Sequence, residues 1–215
     1  MIVILFGHHG SGKGTQAKMI ADEYGLARIA TGEIFRERMG ENSELGKKVT
    51  KYLEGNVYVP DELVNEIVEA KIMENKENGF VFDGYPRTLE QAKFLEKTLK
   101  HVKLSVDVVI NVNINEDKSV IRLANRLVCS NCGTAYNLVT NPPQNDKICD
   151  ICGSKLYQRK DDTKQGIKSR MKEFEAKSLP LIEYYRKQGK LVDVDGNKSP
   201  EQVFKDIKKL LDKLV

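Results

Sequence analysis

The chain has 215 residues, enough for one α/β domain or two small ones. With 40% apolar and 31% charged residues and a mean hydropathy of −0.46, it falls in the soluble globular range and is neither disordered nor fibrous. A net charge of +4, spread along the chain, leaves non-specific nucleic-acid binding a weak default, and no apolar run approaches the ~18 residues of a membrane span. The N-terminus carries no secretory pattern, so a cytoplasmic chain beginning at Met1 is expected.

Ile2-Val3-Ile4-Leu5-Phe6 is a continuous β-rich apolar run, the pattern of a parallel strand buried on both faces, and it stops at Gly7. From Lys13 to Tyr24, Ala17, Ile20, Ala21 and Tyr24 recur at helical spacing, and Gly25 is a stop signal. Further strand-like runs at Phe80-Val81-Phe82, Val106 to Val112 and Lys190 to Val194 alternate with helical patterns near 61–77, 88–100, 116–126, 163–187 and 199–214. Strands interleaved with helices predict a doubly wound α/β sheet. Two segments interrupt the rhythm. Residues ~31–59 read as short amphipathic helices ending before Pro60-Asp61, with Asp61 as an N-cap. Residues ~127–160 lose helical periodicity and carry all four cysteines. With no repeat and no Gly/Ser linker, both read as excursions from one compact body.

Gly7-His8-His9-Gly10-Ser11-Gly12-Lys13 matches G-x-x-x-x-G-K between a buried strand and a helix, the context in which that motif cradles phosphate. Its glycines let backbone N–H groups turn inward, the helix N-terminus adds its dipole, and Lys13 reaches the β/γ oxygens as a point charge. Two rival readings fail. The dinucleotide pattern in Gly12-Lys13-Gly14-Thr15-Gln16-Ala17 stands five residues from its strand, and a nucleophile elbow around Ser11 would need glycine where His9 stands. The Ser/Thr that usually follows the lysine is replaced by Gly14, with Thr15 one step later. A metal on the phosphates would therefore be held through water and another carboxylate, and Asp83, at the carboxyl end of its strand, is the candidate.

Cys129 and Cys132, and Cys149 and Cys152, form two C-x-x-C pairs separated by sixteen residues, inside the window for a four-cysteine zinc site. Gly133 and Gly153 follow the pairs and permit the tight turns that aim backbone N–H groups at sulfur. Four thiolates fill a tetrahedral site and leave no place for substrate, so the metal is expected to be structural. Disulfides, an iron–sulfur site and a nucleic-acid-binding zinc ribbon are the alternatives. The segment from Thr134 to Ile148 holds one lysine and no arginine, poor equipment for tracking phosphates.

Taken in order, Gly7 to Thr15, Thr31-Gly32-Glu33 with Arg36, Asp83-Gly84-Tyr85-Pro86-Arg87-Thr88 with Gln91, Arg122 and Arg126, Arg159-Lys160-Asp161-Asp162 and Arg170 resemble the adenylate kinases with a long, bacterial-type lid. The resemblance implies a five-stranded parallel sheet with helices on both faces, a helical AMP-binding insertion and a zinc-ribbon-like lid. It divides the chain into a core of 1–30, 60–126 and 161–215, an AMP-binding insertion of 31–59 and a lid of 127–160. It further implies reversible transfer of the γ-phosphoryl group of MgATP to AMP by a monomer, with Zn²⁺ in the lid and Mg²⁺ on ATP.

Under the same resemblance, the backbone from Gly10 through Ser11, Gly12, Lys13, Gly14 and Thr15 binds ATP with Arg122, Arg126 and the loop at Lys198. Thr31, Arg36, Val57, Val59, Gly84, Arg87, Gln91, Arg159 and Arg170 bind AMP, with Arg122, Arg126, Arg159 and Arg170 also around the ATP phosphates and the transferring group, and Lys13 between donor and acceptor. Lys13, Asp83, Arg87, Arg122, Arg126, Arg159 and Arg170 are the expected catalytic set. Nine of the 35 basic residues are arginine, and six of those nine fall on phosphate-handling positions. Planar guanidinium forks suit a transition state whose charge is spread over equatorial oxygens. Closure of the lid would bring Arg126 and Arg159 onto the phosphates and exclude water. His8 and His9 replace small or proline residues of the family's loop, and each could donate to phosphate, pack or face solvent. Another nucleoside monophosphate as acceptor, or a nucleotide switch or zinc-ribbon binding module, is the competing function.

Overall fold

The apolar run at the N-terminus becomes β1 (Ile2–Phe6), buried along its whole length. The structure, a computed structural model, describes residues 1–38, 44–54, 59–75, 77–159 and 162–214, with the backbone alone at positions 45, 53, 54, 164, 165, 168–170 and 173. After β1 come α1 (Lys13–Tyr24), β2 (Ala27–Ala30), α2 (Thr31–Arg38), α3 (Glu44–Glu54), α4 (Asp61–Asn75), β3 (Phe80–Asp83) and α5 (Leu89–His101). The second half runs β4 (Val108–Asn113), α6 (Glu116–Ala124), β5 (Arg126–Cys129), β6 (Ala135–Asn137), β7 (Leu156–Tyr157), α7 (Lys164–Lys187), β8 (Leu191–Asp195) and α8 (Pro200–Leu211).

Five strands form one parallel sheet in the order β2-β3-β1-β4-β8. The alternation of side chains along β1 divides its burial between two cores. Ile2, Ile4 and Phe6 join Phe80 and Phe82 of β3 under Val68 and Ile72 of α4, Leu95 and Leu99 of α5 and Tyr185 of α7. Val3 and Leu5 face the other way, with Val81, Ile110 and Val112, against Ala17 and Ile20 of α1 and Val203, Ile207 and Leu211 of α8. Helices on both faces explain why the central β1 reads as an unbroken apolar run and β3 and β4 as nearly so. Because β1 lies between β3 and β4, and its neighbours are reached by crossovers in opposite directions, the loop after β1 sits at the point where the strand order reverses, the usual ligand crevice of such sheets.

Helix ends follow their sequence signals in most places. Gly25 caps α1 in the left-handed region (φ 64°), Thr88 and Thr163 cap α5 and α7 through their hydroxyls, and Ser199 with Gln202 forms a capping box on α8. Asp61 departs from its expected role. It is the first residue of α4, and its carboxylate accepts from the Thr88 hydroxyl (2.6 Å) and the Gln91 amide (2.7 Å) instead of capping the helix. The strand β2 has no counterpart among the periodic runs. It holds four residues, one of them Arg28, and is fixed by pairing with β3, with Ala30 opposite Asp83.

The cysteine-bearing segment forms a separate three-stranded antiparallel sheet, β6-β5-β7, with a small core of Leu127, Tyr136, Leu156 and the sulfur-bearing Cys129 and Cys149. Its first strand begins at Arg126, so the helical pattern read to 126 ends two residues earlier, at Ala124. Among the described residues no helix is long and apolar enough to cross a membrane.

Candidate active site

The loop from Gly7 to Gly12 leaves β1 and turns into the N-terminus of α1. Gly7 (φ 144°) is in a conformation and a space that only glycine fits: a Cβ there would lie 2.6 Å from the Val112 carbonyl oxygen and 2.6 Å from Ser11 Oγ. At Gly12 (φ 91°) the backbone conformation alone favours glycine, since a Cβ would meet nothing within 4 Å. Ser11 N–H donates to the His8 carbonyl (3.1 Å), and the Lys13 ammonium donates to the same oxygen at 3.3 Å. Gly10 and Ser11 are thus held from behind, while Gly14 and the exposed Thr15 begin the helix whose free N–H groups favour an anion.

A Cβ at Gly14, where the motif usually has Ser/Thr, would lie 3.1 Å from Asp83 Oδ2, so a side chain there would press on the carboxylate at the end of β3. Asp83 in turn faces Arg28, whose Nη2 lies 3.4 Å from it and 2.6 Å from Glu33 Oε1. Burial opposes the Arg28 charge, but the two carboxylates outweigh it and hold its pKa above the ordinary value.

At the expected acceptor position, the turn after β3 is tied together by short hydrogen bonds. Arg87 Nε donates to the Gly84 carbonyl (2.7 Å), and Thr31 Oγ1 donates to the same oxygen (3.0 Å). Gln91 is buried, and its amide is largely committed: the oxygen accepts from Arg87 N–H (2.7 Å) and the nitrogen donates to Asp61. Arg36 lies on α2, with its guanidinium 3.4 Å from where a Gly32 side chain would begin. Val59 is buried, whereas Val57 lies outside the described residues. One cleft is lined by Gly7, His9 and Lys13 from the phosphate loop, Gly84 and Arg87 from the β3 turn, and Phe174 of α7.

The other expected arginines are placed unequally. Arg122 Nη1 donates to the carbonyls of Gly196 (2.9 Å) and Gly10 (3.5 Å), and its Nη2 to that of Lys198 (3.2 Å), while burial lowers its pKa. It joins the phosphate loop to the loop after β8, where the Lys198 ammonium pairs with Asp206 (2.6 Å). Arg126 makes a two-pronged pair with Asp162, Nε to Oδ2 at 2.9 Å and Nη2 to Oδ1 at 2.7 Å, and the Asp162 side chain has no exposed surface. Arg159 follows β7, and its carbonyl accepts from Asp162 N–H (3.1 Å). Arg170 lies on α7, with its side chain outside the described residues.

The four cysteine sulfurs all lie within 4.8 Å of one another. The Cys129–Cys152 and Cys132–Cys149 sulfurs are 3.4 and 3.6 Å apart, near the ~3.8 Å edge of a tetrahedron with metal–sulfur bonds of about 2.3 Å, and far from the ~2.05 Å of a disulfide. Gly133 and Gly153 have positive φ (69° and 70°), and the N–H groups of Asn131 and Cys132 point at Cys129 Sγ (3.4 and 3.5 Å). Tyr136 approaches Cys149 Sγ at 3.5 Å and accepts from Asp150 N–H at 2.9 Å. Burial pushes the Cys129 thiol up to about 11, whereas hydrogen bonds led by Ser154 pull Cys152 down to about 5. The donor set and its spacing fit a closed, structural metal ion such as zinc.

The sequence model of the adenylate kinase family matches residues 5–190. The chain belongs to the adenylate kinase family. Relatives named adenylate kinase include those of Thermoanaerobacter sp. (strain X514), 44% identical over 98% of both chains, and Archaeoglobus fulgidus, 44% identical over 100% of this chain and 99% of the relative. A third, from Caldanaerobacter subterraneus subsp. tengcongensis, is 45% identical over 98% of this chain and 96% of its own.

Within this adenylate kinase fold, three contributors have no motif in the sequence. Arg28 emerges only once β2 is paired beside β3, although it is one of the three arginines left over when six are assigned to phosphates. Phe174 reaches the cleft from the middle of α7, where it counts as one more apolar residue in a helical pattern. The hydroxyl of Ser119, on α6, makes a very short hydrogen bond to the His9 carbonyl and braces the loop from outside.

Proposed function

We propose that the chain transfers the γ-phosphoryl group of MgATP reversibly to AMP, giving two ADP. The observation that carries this reading is the single cleft shared by the phosphate loop with Lys13 and the β3 turn with Arg87. Such a cleft seats a donor and an acceptor phosphate face to face. An oxygen of the AMP phosphate bonds to the γ-phosphorus as the bond to the β–γ bridging oxygen breaks. That acceptor oxygen is already ionised near neutral pH, because the second pKa of a phosphate monoester is about 6, so no general base is needed. What remains is alignment and the stabilisation of spread charge.

In this reading the backbone of Gly10, Ser11, Gly12, Lys13, Gly14 and Thr15 takes the donor phosphates, and the Lys198 loop takes the adenine side. Thr31, Arg36, Val57, Val59, Gly84, Arg87 and Gln91 take AMP. Arg126, Arg159 and Arg170 close on the transferring group, and Arg122 supports the donor side through the carbonyls it holds. Magnesium, bound with ATP, would screen the phosphate charge, with Asp83 the carboxylate placed to hold its water shell. Zinc on Cys129, Cys132, Cys149 and Cys152 would fold a lid of 127–160, which lacks a core large enough to stand alone. The core then comprises 1–30, 60–126 and 161–215, and the AMP-binding insertion 31–59. The reading includes a monomer in the cytoplasm.

Product chromatography tests the reading. MgATP alone should give no ADP, and MgATP with AMP should give two ADP per ATP consumed. Phosphorylation of GMP, CMP or UMP in preference to AMP would change the acceptor, and ADP with free phosphate in the absence of any acceptor would overturn transfer altogether.

A further inference from the structure

The His8 side chain is a group for which the transfer reaction provides no use. Its ring sits 4.2 Å from that of Phe174, centroid to centroid, inclined at 46°, and its Nδ1 is buried with no hydrogen-bond partner among the described residues. The same residue's carbonyl does two jobs at once, receiving Ser11 N–H and the Lys13 ammonium. Side chain and carbonyl belong to one residue in a tight loop, so a seated ring restrains the backbone rotation that would swing that oxygen away.

We propose that His8 is a positioning residue for Lys13: the seat of its imidazole on Phe174 fixes the carbonyl that holds the Lys13 ammonium at the mouth of the cleft. The inference rests on the phosphoryl-transfer reading, and the two fail separately, since a wild-type chain that makes no ADP refutes the reading while variants indistinguishable from wild type refute the inference. Among the described residues, Glu175 of α7 and Glu116 of α6 favour the imidazolium and Lys13 of α1 opposes it, while Glu183 and Arg186 of α7 and Asp193 of β8 line the same cavity as the ring. Burial outweighs them and holds the His8 pKa below its ordinary 6.5, so the ring is neutral at pH 7. Acidification through that lowered value adds a second positive charge beside Lys13, and the repulsion between the two weakens the hold of the loop on the ammonium.

The test compares wild type with His8→Ala and His8→Phe in steady-state kinetics from pH 5 to 8.5, with thermal melts of each protein to establish that it is folded. At pH 8, His8→Ala should lower kcat by about fivefold, the size expected for loss of one aromatic contact, with the KM for AMP little changed. His8→Phe keeps a ring on Phe174 and should recover most of that loss. Its activity should also fall less steeply than that of wild type below pH 6, because the titrating group is gone. A His8→Ala enzyme with wild-type kcat, a His8→Phe enzyme no better than His8→Ala, or an unchanged acid limb in His8→Phe would each overturn the proposal.

Discussion

Replacing Asp162 by asparagine should destabilise the protein by far more than a surface ion pair would predict. Asp162 has no exposed side-chain surface, and Arg126, which grips it with two nitrogens at 2.9 and 2.7 Å, is 19% exposed. At an effective dielectric constant near 20, two charges about 4 Å apart attract by ~4 kcal/mol. Removing one partner of a buried pair leaves the other desolvated and typically costs about 3–5 kcal/mol; the residual exposure of Arg126 puts the expectation at the lower end, about 3 kcal/mol. For a chain of this size each kcal/mol lowers the melting temperature by roughly 2–4 °C, so Asp162→Asn should melt about 6–12 °C below wild type. The assay is thermal unfolding followed by far-ultraviolet circular dichroism, with hydrogen exchange across residues 126–158 to localise the loss. The double variant Arg126→Met, Asp162→Leu, which removes both charges, should be less destabilised than the sum of the two single changes. A drop below about 2 °C in Asp162→Asn, or strict additivity in the double variant, would refute the argument that this pair holds the two ends of the cysteine-bearing segment together.

Three further outcomes are expected. The purified protein should contain about one zinc per chain by elemental analysis, and Cys132→Ser or chelation should lower protection from hydrogen exchange in residues 127–158 while leaving that of the five-stranded sheet intact. Arg87→Ala, and separately Arg36→Ala, should raise the KM for AMP by roughly 30- to 100-fold, the loss of one charge-assisted phosphate contact, with a much smaller effect on the KM for ATP. Asp193 is held below the ordinary carboxylate range: burial pushes its pKa up, but hydrogen bonds from Asn111 and Asn113 and the charge of Arg186 outweigh it. Its stabilisation is therefore complete above about pH 4 and lost as pH falls through the depressed value, so Asp193→Asn should show a shallower decline in melting temperature between pH 5 and pH 2 than wild type.

The parts of the site that were legible in the sequence are those written in consecutive residues. The phosphate loop is a run of seven positions whose glycines answer to local φ values and local crowding, and each cysteine pair carries its own turn. The missing features depend on partners distant in the chain. Ala27–Ala30 is too short for its periodicity to register and becomes a strand only because Phe80–Asp83 lies beside it. Asp61 looks like a helix cap in its own neighbourhood, but Thr88 and Gln91, some thirty residues on, offer it better donors. Arg122 falls on a phosphate-handling position of the family, yet in this conformation its nitrogens reach carbonyls 74 and 112 residues away in sequence. Residue types at their spacings predicted the chemistry, while the contacts that aim those residues come from the sheet order.

The grip of Arg122 on Gly10, Gly196 and Lys198 has a consequence for which donors the protein accepts. Strand β4 stands between β1 and β8, yet the loops after them meet: a Cβ on Gly196 would lie 3.2 Å from the Ser11 carbonyl oxygen, and Gly196 N–H is also anchored to the Asn113 carbonyl at 2.7 Å. One flat, rigid guanidinium therefore spans the crest of the sheet and fixes the interval between the seat of the phosphates and the loop at Lys198. In the proposed reading, a nucleotide laid along that crest would be gauged by its length before any group on its base is read, and molecules too short or too long from base to phosphate would be turned away by geometry alone.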